Sequence, residues 1–314
     1  MTVVDSSPST SPAAIDAVPL RHPWRWVAAV VIVILVVLFL YGMATNPAYR
    51  WNIFAEYLFN ERILFGVWNT LQLTVYSMVL AIALGVVLAV MRLSPNPVFR
   101  SVSWVFLWIF RGTPIYVQLA FWGLIPTIYA NIQLGVPFGP SFFHLNLQAL
   151  SIPFLLAMLG LALNEAAYMA EIIRAGISSV PEGQSEASTA LGMSWGMTMR
   201  RTVIPQAMRV IIPPTGNEVI SMLKTTSLVT AVPFTLDLYG ITSREIAARE
   251  FEPVPLLLVA AFWYLVVTSI LMVGQYYLER YYSRGASRKL TNKQLEVLAK
   301  AQGTGAPGGG GEGA

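Results

Sequence analysis

The sequence predicts an all-α polytopic membrane protein with six transmembrane helices, and three observations carry that expectation. Hydrophobic residues make up 55% of the 314 and charged residues only 11%, against roughly a quarter charged in an ordinary soluble domain. Mean hydropathy is +0.60. Uncharged apolar runs, among them Val27–Ala44, Ile63–Met91 and Pro253–Leu278, have the length of the ~20-residue helix that crosses a bilayer. A β-barrel would show ten-residue alternating segments instead.

Six spans follow in order, at about 26–44, 67–91, 104–129, 150–173, 203–223 and 255–278. The first begins too late, runs too long and lacks a small-x-small cleavage site, so it reads as an uncleaved anchor rather than a signal peptide. The second is uncharged over its whole length. In the third, Gly112-Thr113-Pro114 should break or kink the helix. The fourth carries Asn164, Tyr168 and Glu171 at helical spacing on one face, with Glu165 beside it and Arg174 within pairing distance of Glu171. The fifth holds Pro213-Pro214 in mid-course, which argues for a discontinuous helix. The sixth is apolar apart from hydroxyls and an amide. The Ser/Pro/Ala/Thr-rich residues 1–20 and the end "AQGTGAPGGGGEGA" should be disordered.

Orientation follows from Lys and Arg. With the N-terminus inside, thirteen of the twenty fall in cytoplasmic segments and four (Arg50, Arg62, Arg244, Arg249) outside, leaving Arg111, Arg209 and Lys224 at or within spans. Both termini are therefore expected in the cytoplasm. The net charge of +4 reflects topology, and no nucleic-acid partner is implied. The chain has no cysteine, and His22 and His144 stand apart from any carboxylate cluster. Neither a metal site nor a catalytic constellation is expected.

One cytoplasmic stretch departs from its surroundings: "PEGQSEASTALGMSWGMTMRRTVIP", residues 181–205. Pro181 suits a helix's first turn, Gly192 a C-cap and Ser194 the N-cap of a second helix. Two short helices, about 181–191 and 195–203, are expected, each with a small apolar face (Ala187, Ala190 and Leu191; Trp195 and Met199) and nothing of their own to bury it against. That suggests a protein partner.

Glu186-Ala187, Gly192 six residues after the Glu and Ile204-Pro205 a dozen on resemble the EAA loop of ABC importer permeases, where the membrane subunit docks onto its ATPase. Ser188 departs from the pattern's Ala, and its Ile-x-Leu-Pro ending reads Thr202-Val203-Ile204-Pro205. The literal Glu165-Ala166-Ala167 is a decoy, with Glu171 where the glycine belongs and a place inside a span. "FRGTPIYVQLAFW" (110–122), "LNEAAYMAEIIRAGI" (163–177), "VIPQAMRVIIPPTGNEVISMLKTTSLVTAV" (203–232) and "GVWNTLQLTVYSMVLAIALGVVLAVMRLS" (66–94) are similar to the polar amino-acid branch, the histidine/glutamine/arginine-type permeases.

The resemblance implies a type-1 permease core of five helices at 63–282, preceded by a disordered N-terminus (1–23) and an extra helix with its outer loop (24–62), and followed by a basic, then Gly-rich, tail (283–314). It also implies the partners: an ABC ATPase pair, a second permease subunit (identical or related), an extracytoplasmic solute-binding protein, a polar amino-acid substrate and the lipid of a bacterial plasma (inner) membrane. No lysine follows a glycine, so the chain has no phosphate-cradling loop. ATP and Mg are assigned to the partner, and no cofactor is expected on this chain.

The docking residues implied are Glu186, Ala187, Gly192, Ser194, Arg200 and Pro205. Ionisable groups at membrane depth are functional candidates by default, so the expected substrate pathway comprises Arg111, Thr113 and Gln118 on span three, Asn164, Glu165 and Tyr168 on span four, and Asn217, Glu218, Ser221 and Lys224 on span five. Alternating access driven by the ATPases is the expected mechanism, with no bond chemistry on the permease. The alternative, a self-contained secondary transporter or channel, predicts repeated halves that the sequence lacks and leaves the docking stretch unexplained.

Overall fold

The computed structural model describes residues 23–129, 131–135, 141–146, 152–246 and 251–282. The N-terminal stretch and the Gly-rich tail, for which disorder is expected, lie outside these residues. The chain forms two units, 1–50 and 51–314. The first holds α1 (Pro23–Thr45), a helix with no buried residue. A helix exposed all round and charged only at Arg25 in its first turn suits a hydrocarbon solvent, where every backbone group is bonded within the segment.

The second unit begins with α2 (Trp51–Tyr57), α3 (Glu61–Leu93), α4 (Pro97–Gly112) and α5 (Ile115–Ile128). Local chemistry sets their starts. The Asn60 side chain accepts from Arg62 N–H at 2.9 Å and Asn96 from Val98 N–H at 2.9 Å, and Pro97 occupies the first turn of α4, where its missing donor costs nothing. Next come α6 (Pro153–Ser178), α7 (Glu182–Ala190), α8 (Trp195–Thr198), α9 (Ile204–Thr225), the single turn α10 (Leu238–Gly240) and α11 (Pro253–Tyr282). Among the described residues four helices, α1, α3, α6 and α11, are long and apolar enough to cross a membrane, and α5 is a shorter apolar one. The link from α5 to α6 adds a small antiparallel hairpin, β1 (Asn131–Gly135) with β2 (Ser141–Asn146), which the all-α reading did not anticipate.

The core sits on α6. Small buried residues crowd both it and α3, with Ala81, Gly85 and Ala89 on α3 and Ala166, Ala167 and Ala170 on α6. Close backbone approach is how helices associate where lipid offers no hydrophobic drive. A Cβ at Gly85 would stand 2.7 Å from Met169 Cβ and 3.1 Å from Ala170 N. Gly160 admits Leu119 and Trp122 of α5, and Gly176 admits Ile211 of α9. In its N-terminal third α3 grips the link between α9 and α11: Asn69 Nδ2 donates to Leu236 O (3.1 Å) and Leu238 N to Thr70 Oγ1 (3.0 Å).

Two expectations about broken helices part company. The third span does arrive as two helices, α4 and α5, with Thr113 extended between them. The fifth is not discontinuous: α9 runs unbroken through Pro213 and Pro214. Both prolines lack an N–H, but Ile211 is anchored in the core and Gly216 lies tight against Gln275 of α11, so packing holds the helical path. Gln275 Nε2 also donates to Pro213 O at 2.7 Å.

Gly85→Val should push α3 off α6 and cost most of the folded protein, read as monodispersity and melting temperature in detergent. Gly42→Val, where an added Cβ meets nothing within 4 Å, should leave both unchanged.

Asp237, in the α9–α11 link, caps α10 through Oδ2 (Tyr239 N–H 3.1 Å, Gly240 N–H 3.3 Å) while its Oδ1 is buried without a partner. Burial pushes its carboxyl from 3.8 up to about 6. Between those values the folded chain keeps a proton that the unfolded chain has released, so this group's contribution to stability falls as pH rises through the window and is level above it. Melting temperatures from pH 4 to 7 should show that fall in the wild type, and Asp237→Asn, which keeps the capping oxygen, should remove it.

Candidate functional site

The segment 181–205 begins with α7, one residue later than expected because Pro181 stands just before the helix. Gly192 ends it at φ +79°, the left-handed conformation that glycine adopts without penalty. Gly192 N–H returns to Thr189 O at 2.9 Å and Met193 N–H to Ser188 O at 3.1 Å. Ser194 precedes α8 in extended conformation, but its side chain makes no capping bond.

The second short helix is not separate. From Trp195 the chain stays helical through α8, a π turn at Met199–Val203 and on into α9. Pro205 explains the π turn. It has no N–H for Arg201 O, and the helix passes it by widening, with Ile204 N–H reaching back to Met199 O.

The outer face of this segment is bare. Leu191 is 83% and Trp195 75% exposed, and Glu186, Ala187, Arg200 and Pro205 are exposed with them. The inner face is fastened. Ser188 Oγ lies 2.9 Å from Thr202 Oγ1, and Gln206 Nε2 reaches Gln184 Oε1 at 3.2 Å. Ser188 and Thr202 are two of the positions that depart from the docking-loop pattern, and here they meet each other.

At membrane depth the break between α4 and α5 organises the polar side chains. Pro114 has no N–H to give Phe110 O, the acceptor four residues back. Two amides replace it: Asn164 Nδ2 and Gln118 Nε2 each reach Phe110 O at 2.9 Å. Gln118 Nε2 also reaches Thr113 O (3.0 Å) and Thr113 Oγ1 (2.7 Å), while Gln118 Oε1 accepts from Asn164 at 3.0 Å. Thr113, Gln118 and Asn164 thus spend their hydrogen bonds on the fold.

Arg111 sits over the Tyr168 ring at 5.4 Å, within the range of a cation–π contact. With Glu171 and the stacked Trp104 and Trp108 it lines a cavity of about 340 Å³. Glu171 is paired with Arg174. Glu165 is 7% exposed, and its Oε1 has no partner.

Asn217, Ser221 and Lys224 point elsewhere. They line a cleft of about 480 Å³ against α11, closed by Thr268, Gln275 and Glu279. The half-buried Glu218 is one residue round the helix from that row. Three groups therefore exist where the sequence suggests one pathway: the fastened break, the Arg111–Tyr168 cavity and the α9–α11 cleft.

The sequence profile of the binding-protein-dependent transport system inner membrane component family matches residues 81–284. The chain belongs to that family. It is 59% identical over 307 residues to the arginine transport system permease protein ArgU of Corynebacterium glutamicum, covering 96% of this chain and 95% of that one. It is 37% identical over 210 residues to the histidine/lysine/arginine/ornithine permease HisM of Escherichia coli (66% and 83% covered). The crystal structure of an amino acid ABC transporter with histidines superposes at a TM-score of 0.57 with 32% identity, over 70% of this chain and 94% of that one. The permease is thus a membrane subunit of an ABC importer, and ATP hydrolysis belongs to a separate subunit.

The sequence reading of the permease passed over Gln275 and Glu279. Their signal was present in Thr268, Met272, Gln275 and Glu279, one helical stripe with an amide in the sixth span and a carboxylate just past its end.

Because Asn164 and Gln118 serve the same carbonyl, Asn164→Ala and Gln118→Ala should each destabilise by about 1–3 kcal/mol. The double variant should cost less than the sum of the two. Thermal unfolding in detergent across this cycle checks it, and additive losses would show that the amides act independently.

Proposed function

We propose that this chain is the permease of an ATP-driven importer of polar amino acids, cationic ones foremost. The observation that carries the reading is the 59% identity, end to end, with an arginine permease. In this reading six helices cross the plasma membrane with both termini in the cytoplasm, α4 and α5 together making one crossing and α9 another. The type-1 permease core spans 63–282, behind an added N-terminal helix at 24–62.

Two such subunits enclose the pathway, a solute-binding protein delivers the amino acid from outside, and an ATPase pair seats the 181–205 segments. ATP-driven closure of the ATPases moves those segments and swings the spans between outward and inward access. The exposed Leu191 and Trp195 support docking there, since apolar side chains that large seldom stand side by side on a surface without a partner. Glu186 supplies the polar contact, and Gly192 sets the turn between α7 and α8. An added Cβ at Gly192 meets nothing within 4 Å, so a side chain there would strain the left-handed turn and meet the ATPase rather than the permease.

The test is uptake of labelled L-arginine by proteoliposomes holding permease, ATPase and binding protein. The wild type should import arginine with ATP. Glu186→Lys and Gly192→Asp should insert and fold normally, yet abolish uptake or uncouple ATP hydrolysis from it. Fully coupled uptake by both would remove the docking assignment.

A further inference from the structure

The cavity of about 340 Å³ beside α4 holds more positive charge than its own side chains balance. Arg92, in the last turn of α3, and Arg111, at the end of α4, line it together with Glu171 of α6. That carboxylate is already taken, since Arg174 Nε donates to both of its oxygens at 3.2 Å. Neither Arg92 nor Arg111 forms a salt bridge among the described residues, and Arg111 has only the face of the Tyr168 ring. Two positive charges are left over.

The two arginines enter the cavity from opposite ends. Ser103 Oγ donates to Leu88 O at 2.8 Å, which pins the antiparallel α3 and α4 at one level. From there Arg92 lies four residues along α3 toward the turn at 94–96, about 6 Å of helix rise. Arg111 lies eight residues along α4 the other way, about 12 Å. Trp104 and Trp108 stand between them, stacked at 6.1 Å and 4° from parallel. The cavity is a slot with a cation at each end and a wall of indole. Both arginines act on the Glu171 carboxylate through space, so one anion beside it falls within reach of both.

The slot opens onto an apolar surface. Trp104 and Trp108 are exposed, and so are Phe99, Val102, Val105 and Ile109 of the same helix. A ligand that fits must carry negative charge for the arginines and a long apolar chain for the indoles. A soluble phosphate has only the first, and a lipid without net charge only the second. Indoles favour the level of lipid headgroups, long arginine stems let their charges lean toward that level, and basic pockets between spans on the cytoplasmic side hold phosphorylated headgroups.

We propose that this slot binds an anionic phospholipid of the cytoplasmic leaflet, its phosphate held by Arg92 and Arg111 and an acyl chain laid along Trp104 and Trp108. The choice of leaflet rests on the six-crossing topology proposed above. Gly112 belongs to the lining, so the lipid rests against the break between α4 and α5.

The experiment measures retention of radiolabelled phosphatidylglycerol by the purified permease–ATPase complex in detergent, in competition with phosphatidylcholine and with sn-glycerol 3-phosphate, which has the phosphate without the chains. The wild type should prefer phosphatidylglycerol to phosphatidylcholine by roughly twenty-five-fold, about fivefold for each arginine, and sn-glycerol 3-phosphate should not compete. Arg92→Gln should lower the preference about fivefold, and Arg92→Gln with Arg111→Gln should erase it. Glu171→Gln, which frees Arg174, should raise it. Arg100→Gln, an exposed arginine of the first turn of α4 outside the slot, should leave it unchanged. Trp108→Ala should weaken both lipids and keep their ratio.

Misfolding gives no reason for one variant to raise what a second lowers and a third spares. A loss in Arg100→Gln equal to that in Arg92→Gln would reduce the effect to general surface attraction and overturn the site, as would a preference that survives the double variant. Competition by sn-glycerol 3-phosphate as strong as that of the lipid would make it a soluble-anion site instead. Arginine uptake is measured on the same preparations after reconstitution with binding protein. A wild-type complex that imports arginine without the lipid preference sinks this proposal and leaves the importer reading intact, while the preference without import does the converse.

Discussion

Pro114 removes a single N–H from the middle of a membrane crossing, and much of the permease is arranged around that loss. In water the orphaned Phe110 carbonyl would find a solvent donor at little cost. In a bilayer it must be met from within the protein, and here Asn164 and Gln118 meet it. That requirement ties α4, α5 and α6 at one point. The same α6 then needs small residues to receive its other neighbours, with α3 at Ala166–Ala170, α5 at Gly160 and α9 at Gly176. A polar constraint sets the register of the bundle, and close packing of Gly and Ala builds on it.

Much of this was legible in the sequence, for identifiable reasons. Span positions follow from uncharged runs, since the cost of a charge in lipid is large enough to override other preferences. The break at Gly112–Pro114 follows from backbone chemistry alone. The Pro213–Pro214 pair misled because the same chemistry was overruled there: Ile211 in the core and Gly216 against Gln275 hold α9 straight. No local signal distinguishes the two cases. The difference lies in what stands opposite each proline, which only the fold reveals.

The candidate site divides the same way. The 181–205 segment was recognisable by spacing, and Gly192 takes the conformation that its place implied. The membrane-depth residues were harder to sort. Polarity inside a span marks a residue as having a task, but Asn164 repairing a helix and Asn217 lining a cleft look alike in sequence. The sorting came from partners. The Asn164 amide is committed to two acceptors, while Asn217, Ser221 and Lys224 face open volume. Ser188 and Thr202 make the complementary point: two departures from a pattern, each weakening the resemblance when read alone, form one hydrogen bond when read together.

The helical path from Trp195 to Thr225 has a further consequence. It is continuous through α8, the π turn and α9, about 31 residues, or roughly 45 Å at the rise of an α-helix. The bare surface at Trp195 and the wall of the α9–α11 cleft are therefore two ends of one rod rather than two parts joined by a hinge. A twist applied at Trp195 arrives at Lys224 as rotation of the same axle, softened only where the π turn and the proline pair thin the hydrogen-bond ladder. Torsion of a single shaft would turn the cleft's lining residues in step with the surface at Trp195, with no intervening loop to reorder.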